Sequence, residues 1–140
     1  MNIGKYLILF FLTLLIPLFH SLSGAQSNDI QIAKTDLIQY LTSREQGKFS
    51  ECVKFCSDEF LSNFKKRFGT DYVNYYRNQN EDYYKNFKIM DVNKKKEVVL
   101  IKVTVEVVGP GYKSKALENY SMIRKEGKWT ILDWNIEYKK

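Results

Sequence analysis

Histidine is almost absent from this chain: His20 is the only one among 140 residues. It lies in an N-terminal stretch that reads as a removable leader, so the remainder has none. Chemistry that rests on an imidazole base is excluded there. Cysteine is nearly as scarce, with only Cys52 and Cys56. Their C-x-x-x-C spacing differs from the C-x-x-C of redox and zinc sites, and no histidine exists to complete a metal set. A glycine-rich phosphate loop, an internal repeat, a low-complexity tract and an interdomain linker are all missing. Neither a metal nor a cofactor is expected.

The leader itself is easy to recognise. Lys5 is the only charge in residues 1–25, and it precedes an apolar run from Tyr6 to Phe19 interrupted by Thr13 and Pro17. Ser23-Gly24-Ala25 then supplies the small residues of a cleavage site, which is the layout of a secretory signal peptide. The apolar run falls short of the ~20 residues a spanning helix needs. Cleavage is expected near Ala25, and Gln26 stands where a lipid anchor would require cysteine. The expected product is a secreted or periplasmic protein without a stable membrane anchor, residues 26–140 forming one domain. That portion keeps 21 Lys+Arg against 16 Asp+Glu, a net +5, because only Lys5 is removed. Its length suffices to bury roughly two-thirds of the unfolded chain's surface in a single core.

Helical signals fill the first half. Ile30, Ala33, Leu37, Tyr40 and Leu41 recur at helical spacing between capping residues at 27–29 and a stop at Gly47. Phe49, Cys52, Val53 and Cys56 mark one face of a second helix. An i, i+4 cysteine pair in a regular helix is poorly placed for a disulfide, so two buried thiols are favoured over a bridge. Ser57 reads as an N-cap and Gly69 as the C-cap of a third segment. Residues 70–87 are dense in aromatics, and Tyr72, Tyr76, Tyr83 and Phe87 fall near one helical stripe, with the polar stretch 77–82 as its breaking point. A stripe of this kind covers a sheet more often than it forms a ligand platform.

Strand signals fill the second half. In residues 97–108, Val99, Ile101, Val103, Val105 and Val107 alternate with Lys102, Thr104 and Glu106. Gly109-Pro110-Gly111 suits a turn between antiparallel strands. A third strand spans 113–125 with Ala116, Tyr120 and Met122 on one face, and a closing strand spans 128–138. By parity Trp129 and Ile131 share a face with Asp133, while Leu132 and Trp134 share the other, so the two tryptophans line one pocket only if a bulge intervenes. Helices followed by strands predict an α+β fold, with N-terminal helices packed on a curved antiparallel sheet.

The order of a first helix, then "QGKFSECVKFCSDEFLSNF", then long strands ending in "KEGKWTILDWNI", resembles the nuclear transport factor 2-like superfamily over residues 30–138. The resemblance implies a cystatin-like cone: a bent sheet wrapped around helices, leaving an apolar cavity at its wide end. Members with dehydratase activity use histidine, which is lacking here. The isomerase members use a carboxylate base with a tyrosine and a protonated acid. Glu106, Glu118 and Asp133 are available, but they are expected on the solvated face or edge. The epoxide hydrolases use an Asp-Arg-Asp set, for which Arg77, Arg124, Asp71, Asp82, Asp91 and Asp133 show only the spacing of surface charge.

No catalytic residue is therefore assigned. The expected function is an exported, non-catalytic module holding a small apolar ligand or a protein partner. Its cavity lining is drawn from Tyr40, Tyr76, Val99, Ile101, Val103, Tyr120, Trp129 and Ile131, with Asp133 beside them. The alternatives are a small lyase or isomerase acting on a hydrophobic substrate, and a homodimeric assembly module with an exposed apolar sheet face. Nucleic acid is not an expected partner, because Lys65 to Arg67 and Lys94 to Lys96 lie at separate sites. A net +5 implies only weak affinity for anionic surfaces. Asn119-Tyr120-Ser121 forms a glycosylation sequon in mid-strand.

Overall fold

A computed structural model describes residues 3–79 and 83–138, with side chains from residue 24 onward except that of Tyr83. Its organising element is β2 (Val98–Gly109). Val99, Ile101, Val103, Val105 and Val107 are all buried on one face, while Lys102 is exposed on the other. A strand with this period-two pattern needs a sheet covered on one side. β1 (Tyr83–Lys95), β3 (Tyr112–Lys125) and β4 (Lys128–Tyr138) complete an antiparallel meander in the order β1-β2-β3-β4.

The turns use residues that tolerate left-handed backbone. Glu126 and Gly127, at φ 50° and 80°, form the tight β3–β4 turn, and Gly111 at φ 77° closes β2 to β3. Curvature comes from irregular register. β1 shifts against β2 between Lys85 and Lys88, where Asn86 has φ 52°, and again between Ile89 and Asp91. Bulges of this kind bend and twist a strand. The result is a concave sheet face turned towards the helices.

Helix α1 runs from Ile3 to Glu45. Residues 27–29 therefore lie within a continuing helix and do not cap it; the periodic stripe marks where α1 meets the sheet. Helix α2 (Phe49–Cys52) passes directly into a 3-10 turn at Val53–Phe55, shorter than the single helix expected to Cys56. Cys56 is extended and bridges Ile131 of β4 in parallel, and the Ser57 amide donates to the Ile131 carbonyl at 2.9 Å. Both cysteines are buried and free.

Helix α3 (Asp58–Phe68) begins where Ser57 Oγ accepts from the Phe60 amide and ends at left-handed Gly69. Helix α4 (Tyr72–Asn78) stops early, so the aromatic run is divided. Tyr72 and Tyr76 face the core from a helix, whereas Tyr83 and Phe87 belong to β1. Residues 80–82, in the polar stretch expected to break the helix, lie outside the described residues.

Candidate functional site

The buried stripe of α1, Ala33, Leu37, Tyr40 and Leu41, continues by one helical turn onto Arg44. On β3 the inward positions are Ala116, Glu118, Tyr120 and Met122. A cation and an anion are thus aimed at the same interior, where an unpaired charge would be costly. They meet in a two-point contact: Arg44 Nη1 donates to Glu118 Oε1 and Nη2 to Oε2, each at 2.7 Å. Arg44 is 4% exposed and Glu118 0%.

Two more donors complete the carboxylate's shell. The Tyr120 hydroxyl donates to Glu118 Oε2 at 3.0 Å and accepts from Arg44 Nη1 at 3.1 Å. Trp134 Nε1 donates to Glu118 Oε1 at 3.2 Å. Four donors now surround a group with about four lone-pair sites. The Arg44 guanidinium also lies 4.4 Å from the Tyr84 ring centre, a cation–π contact. Nearby, the hydroxyls of Tyr40 and Tyr72 share a hydrogen bond of 2.8 Å.

Electrostatics fix the protonation of these groups. Burial pulls Arg44 down, but the Glu118 carboxylate and the Tyr120 hydroxyl outweigh it and hold the guanidinium well above its usual value. Burial pushes the phenols of Tyr40, Tyr72, Tyr76 and Tyr120 far up, so all four stay neutral. The Cys52 thiol is likewise pushed up to about 11 by burial, and Cys56 goes higher for the same reason. Neither is a nucleophile near neutral pH.

Trp134 reaches this cluster because β4 contains the bulge that parity alone leaves out. Ser121 pairs with Asp133 but Met122 pairs with Ile131, so Leu132 is an extra residue. Trp129, Ile131 and Trp134 consequently all face inward, and Asp133 is turned to solvent. This overturns the expected sharing of one face by Trp129 and Asp133. The bulge lies beside Ile131, the residue held by the Cys56 bridge and the Ser57 amide.

The other proposed lining residues, Tyr40, Tyr76, Val99, Ile101, Val103, Tyr120, Trp129 and Ile131, are all buried in one core. Their side chains belong to one packed cluster of buried residues. Glu118, expected on a solvated face, is instead its most enclosed charge. Glu106 does face outward, held below the usual carboxylate range by hydrogen bonds from Asn86 and Lys113. Among the arginines and aspartates weighed for water activation, Arg77 and Asp91 are exposed, Asp71 caps α4 and Arg124 pairs with Asp29. Asp82 lies outside the described residues.

Arg44 is the functional candidate that sequence reasoning missed. Two buried donors, Arg44 Nε and Trp129 Nε1, have no hydrogen-bond partner. Among the described residues, no group of three His, Cys, Asp or Glu side chains is placed to hold a metal. A small cleft of about 50 Å³ reaches the cluster's edge at Trp134, beside Phe60, Phe64 and Phe68, and two larger ones formed by described residues lie away from it. One of about 510 Å³ sits between α1 and β1, lined by Ile30, Gln31, Lys34 and Val92 among others. Another of about 420 Å³ lies among the 3-10 turn, α3 and α4, lined mainly by Val53, Leu61, Tyr72 and Val73, with Lys65 and Asp71 at its edge.

A helical layer on a curved four-stranded antiparallel sheet defines an α+β fold, consistent with the cone of nuclear transport factor 2-like structures. Solved structures agree at the level of fold. An LEH-like epoxide hydrolase from M. tuberculosis superposes with a TM-score of 0.56 at 11% identity, covering 79% of this chain and 85% of that one. A SEC-C motif containing protein from Rhodopseudomonas palustris gives 0.53 at 13% identity, covering 67% and 70%. No protein-family model and no curated protein sequence matches the chain.

Proposed function

We propose that the chain is an exported, non-catalytic binding module whose cone interior is structural. One observation carries this reading: the only fully buried carboxylate among the described residues, Glu118, has both oxygens taken by Arg44, Tyr120 and Trp134. A general base needs a free lone pair facing a substrate, and this one has neither. Export rests on the leader pattern of residues 1–25. The occupant best supported is a small apolar ligand, seated in the cleft of about 420 Å³ beside Leu61 and Val73. That volume lies within the ~300–1,000 Å³ of small-molecule sites.

A second reading, a lyase or isomerase for a hydrophobic substrate, is favoured by the Tyr120 hydroxyl 3.0 Å from a buried carboxylate and by the unpartnered Arg44 Nε. Catalysis there requires substrate to displace Tyr120 or Trp134 from Glu118. Dimerisation through an apolar sheet face has less support. The outer face carries a polar ladder in which Asn119 Nδ2 donates to Asn135 at 2.9 Å and to Glu137 at 3.2 Å.

Native mass spectrometry of the protein purified from its host separates these readings. The expected result is a bound apolar molecule that Tyr120→Phe retains and Leu61→Asp loses. Loss in Tyr120→Phe with retention in Leu61→Asp would move the site into the cone and favour the enzyme. A bare polypeptide mass throughout would leave a protein as the partner.

A further inference from the structure

The two basic runs seemed unconnected along the sequence, but the sheet brings one of them to a second basic tip. Register runs without a break from Lys95↔Val98 through Val98↔Ile123 and Ile123↔Thr130 to Lys125↔Lys128. The β1–β2 and β3–β4 turns therefore project from the same end of the sheet. One tip carries Lys94, Lys95 and Lys96, and the other Arg124, Lys125 and Lys128. Against these six cations stand Asp29, Glu97 and Glu126, and Lys34 and Asp36 on the adjoining turn of α1 cancel each other. This end alone thus carries three of the net five positive charges of residues 26–140.

Helix α1 is fastened to the same end. Asp29 Oδ2 pairs with Lys94 Nζ at 2.6 Å and Oδ1 with Arg124 Nη1 at 3.2 Å, and the Trp129 amide donates to Asp36 at 3.4 Å. Asp29 therefore uses its charge on two of the six cations. Lys95, Lys96, Lys125 and Lys128 are exposed and form no ion pair among the described residues.

We propose that this end of the cone docks on an anionic phospholipid surface, its two basic hairpin tips meeting headgroup phosphates. The patch is compact and blunt, unlike the long groove with interleaved aromatics that a single-stranded nucleic acid requires. The exposed aromatics Tyr112 and Tyr138 lie on β3 and β4 away from these turns. This docking does not depend on whether the interior binds, catalyses or only packs.

The test is co-sedimentation of the exported form, residues 26–140, with vesicles of phosphatidylcholine alone or mixed with phosphatidylglycerol. The difference between the two reports the tips. The expected result is a preference for phosphatidylglycerol that falls about tenfold or more in Lys95→Glu/Lys125→Glu, since each basic residue near an anionic surface contributes roughly a fivefold change and two are reversed. Lys65→Glu/Lys66→Glu, which changes net charge equally on α3, is expected to keep the preference. Equal loss in both variants, retention in the tip variant, or no preference in the parent would overturn the proposal. Circular dichroism checks that both variants stay folded.

Discussion

Strands β2 and β3 lie side by side and turn their inward faces to the same helices, yet they are lined differently. Val103 and Glu118 are direct partners across the ladder, and both are 0% exposed. Around Val103 the face is aliphatic from Val99 to Val107; around Glu118 it is held by a cation from α1, a phenol and an indole from β4. The same burial is reached by area on one strand and by mutual satisfaction of polar groups on the other. An aliphatic face tolerates changes that keep its volume. A polar cluster is favourable only when complete, because each missing partner leaves a buried group unsatisfied.

The largest effect should therefore come from removing one charge. Glu118→Ala or Arg44→Ala is expected to lower stability by about 3–5 kcal/mol in denaturant titration, since each leaves the opposite charge buried and unpaired. Arg44→Met/Glu118→Leu should lose less than either single change, the signature of a pair whose members matter chiefly to one another. Next comes Tyr120→Phe, which removes one donor to the carboxylate and one acceptor from Arg44. Its expected cost is about 1–3 kcal/mol. On the aliphatic strand, Ile101→Val should cost only about 0.5–1.5 kcal/mol. If Ile101→Val proved costlier than Glu118→Ala, the contrast between the strands would fail.

The smallest expected effect lies at the end of α1. The hydrogen bond from Lys94 lowers the Asp29 carboxyl below its ordinary value, with Arg124 acting in the same direction. A depressed carboxyl adds stability above its unfolded pKa and loses that contribution as pH falls through the folded value. Thermal melts should therefore show a slight loss of stability below about pH 4, which Asp29→Asn flattens. An acid limb unchanged by that substitution would remove Asp29 from the set of groups that fasten α1.

Much of this contrast was legible in the sequence. The alternation from Val99 to Val107 marks β2 without ambiguity, and even-numbered positions from Ala116 to Met122 mark the inward face of β3. That same parity placed Glu118 inside, and the stripe Leu37, Tyr40, Leu41 reaches Arg44 one turn later. Two opposite charges on two buried faces are a signal for a pair. Taken singly, each charge reads as solvated, as a lone charge usually is; only the two buried faces together point to the pair. The placement of Trp134 was not legible in the same way. It depends on the extra residue at Leu132, and no local composition distinguishes a bulge in "WTILDW" from a regular strand. The gathering of the basic turns at one end also needs the strand order, which periodicity does not supply.

The central claim, that the interior is closed and structural, is tested most directly by hydrogen exchange of the Trp134 indole proton, followed by nuclear magnetic resonance. This proton points at Glu118 from inside the cone. A closed core predicts exchange as slow as that of the Ile101 and Val103 amides, governed by global unfolding. Exchange much faster than those amides, or exchange slowed by an added hydrophobic ligand, would show an interior open to solvent and substrate and would contradict the account.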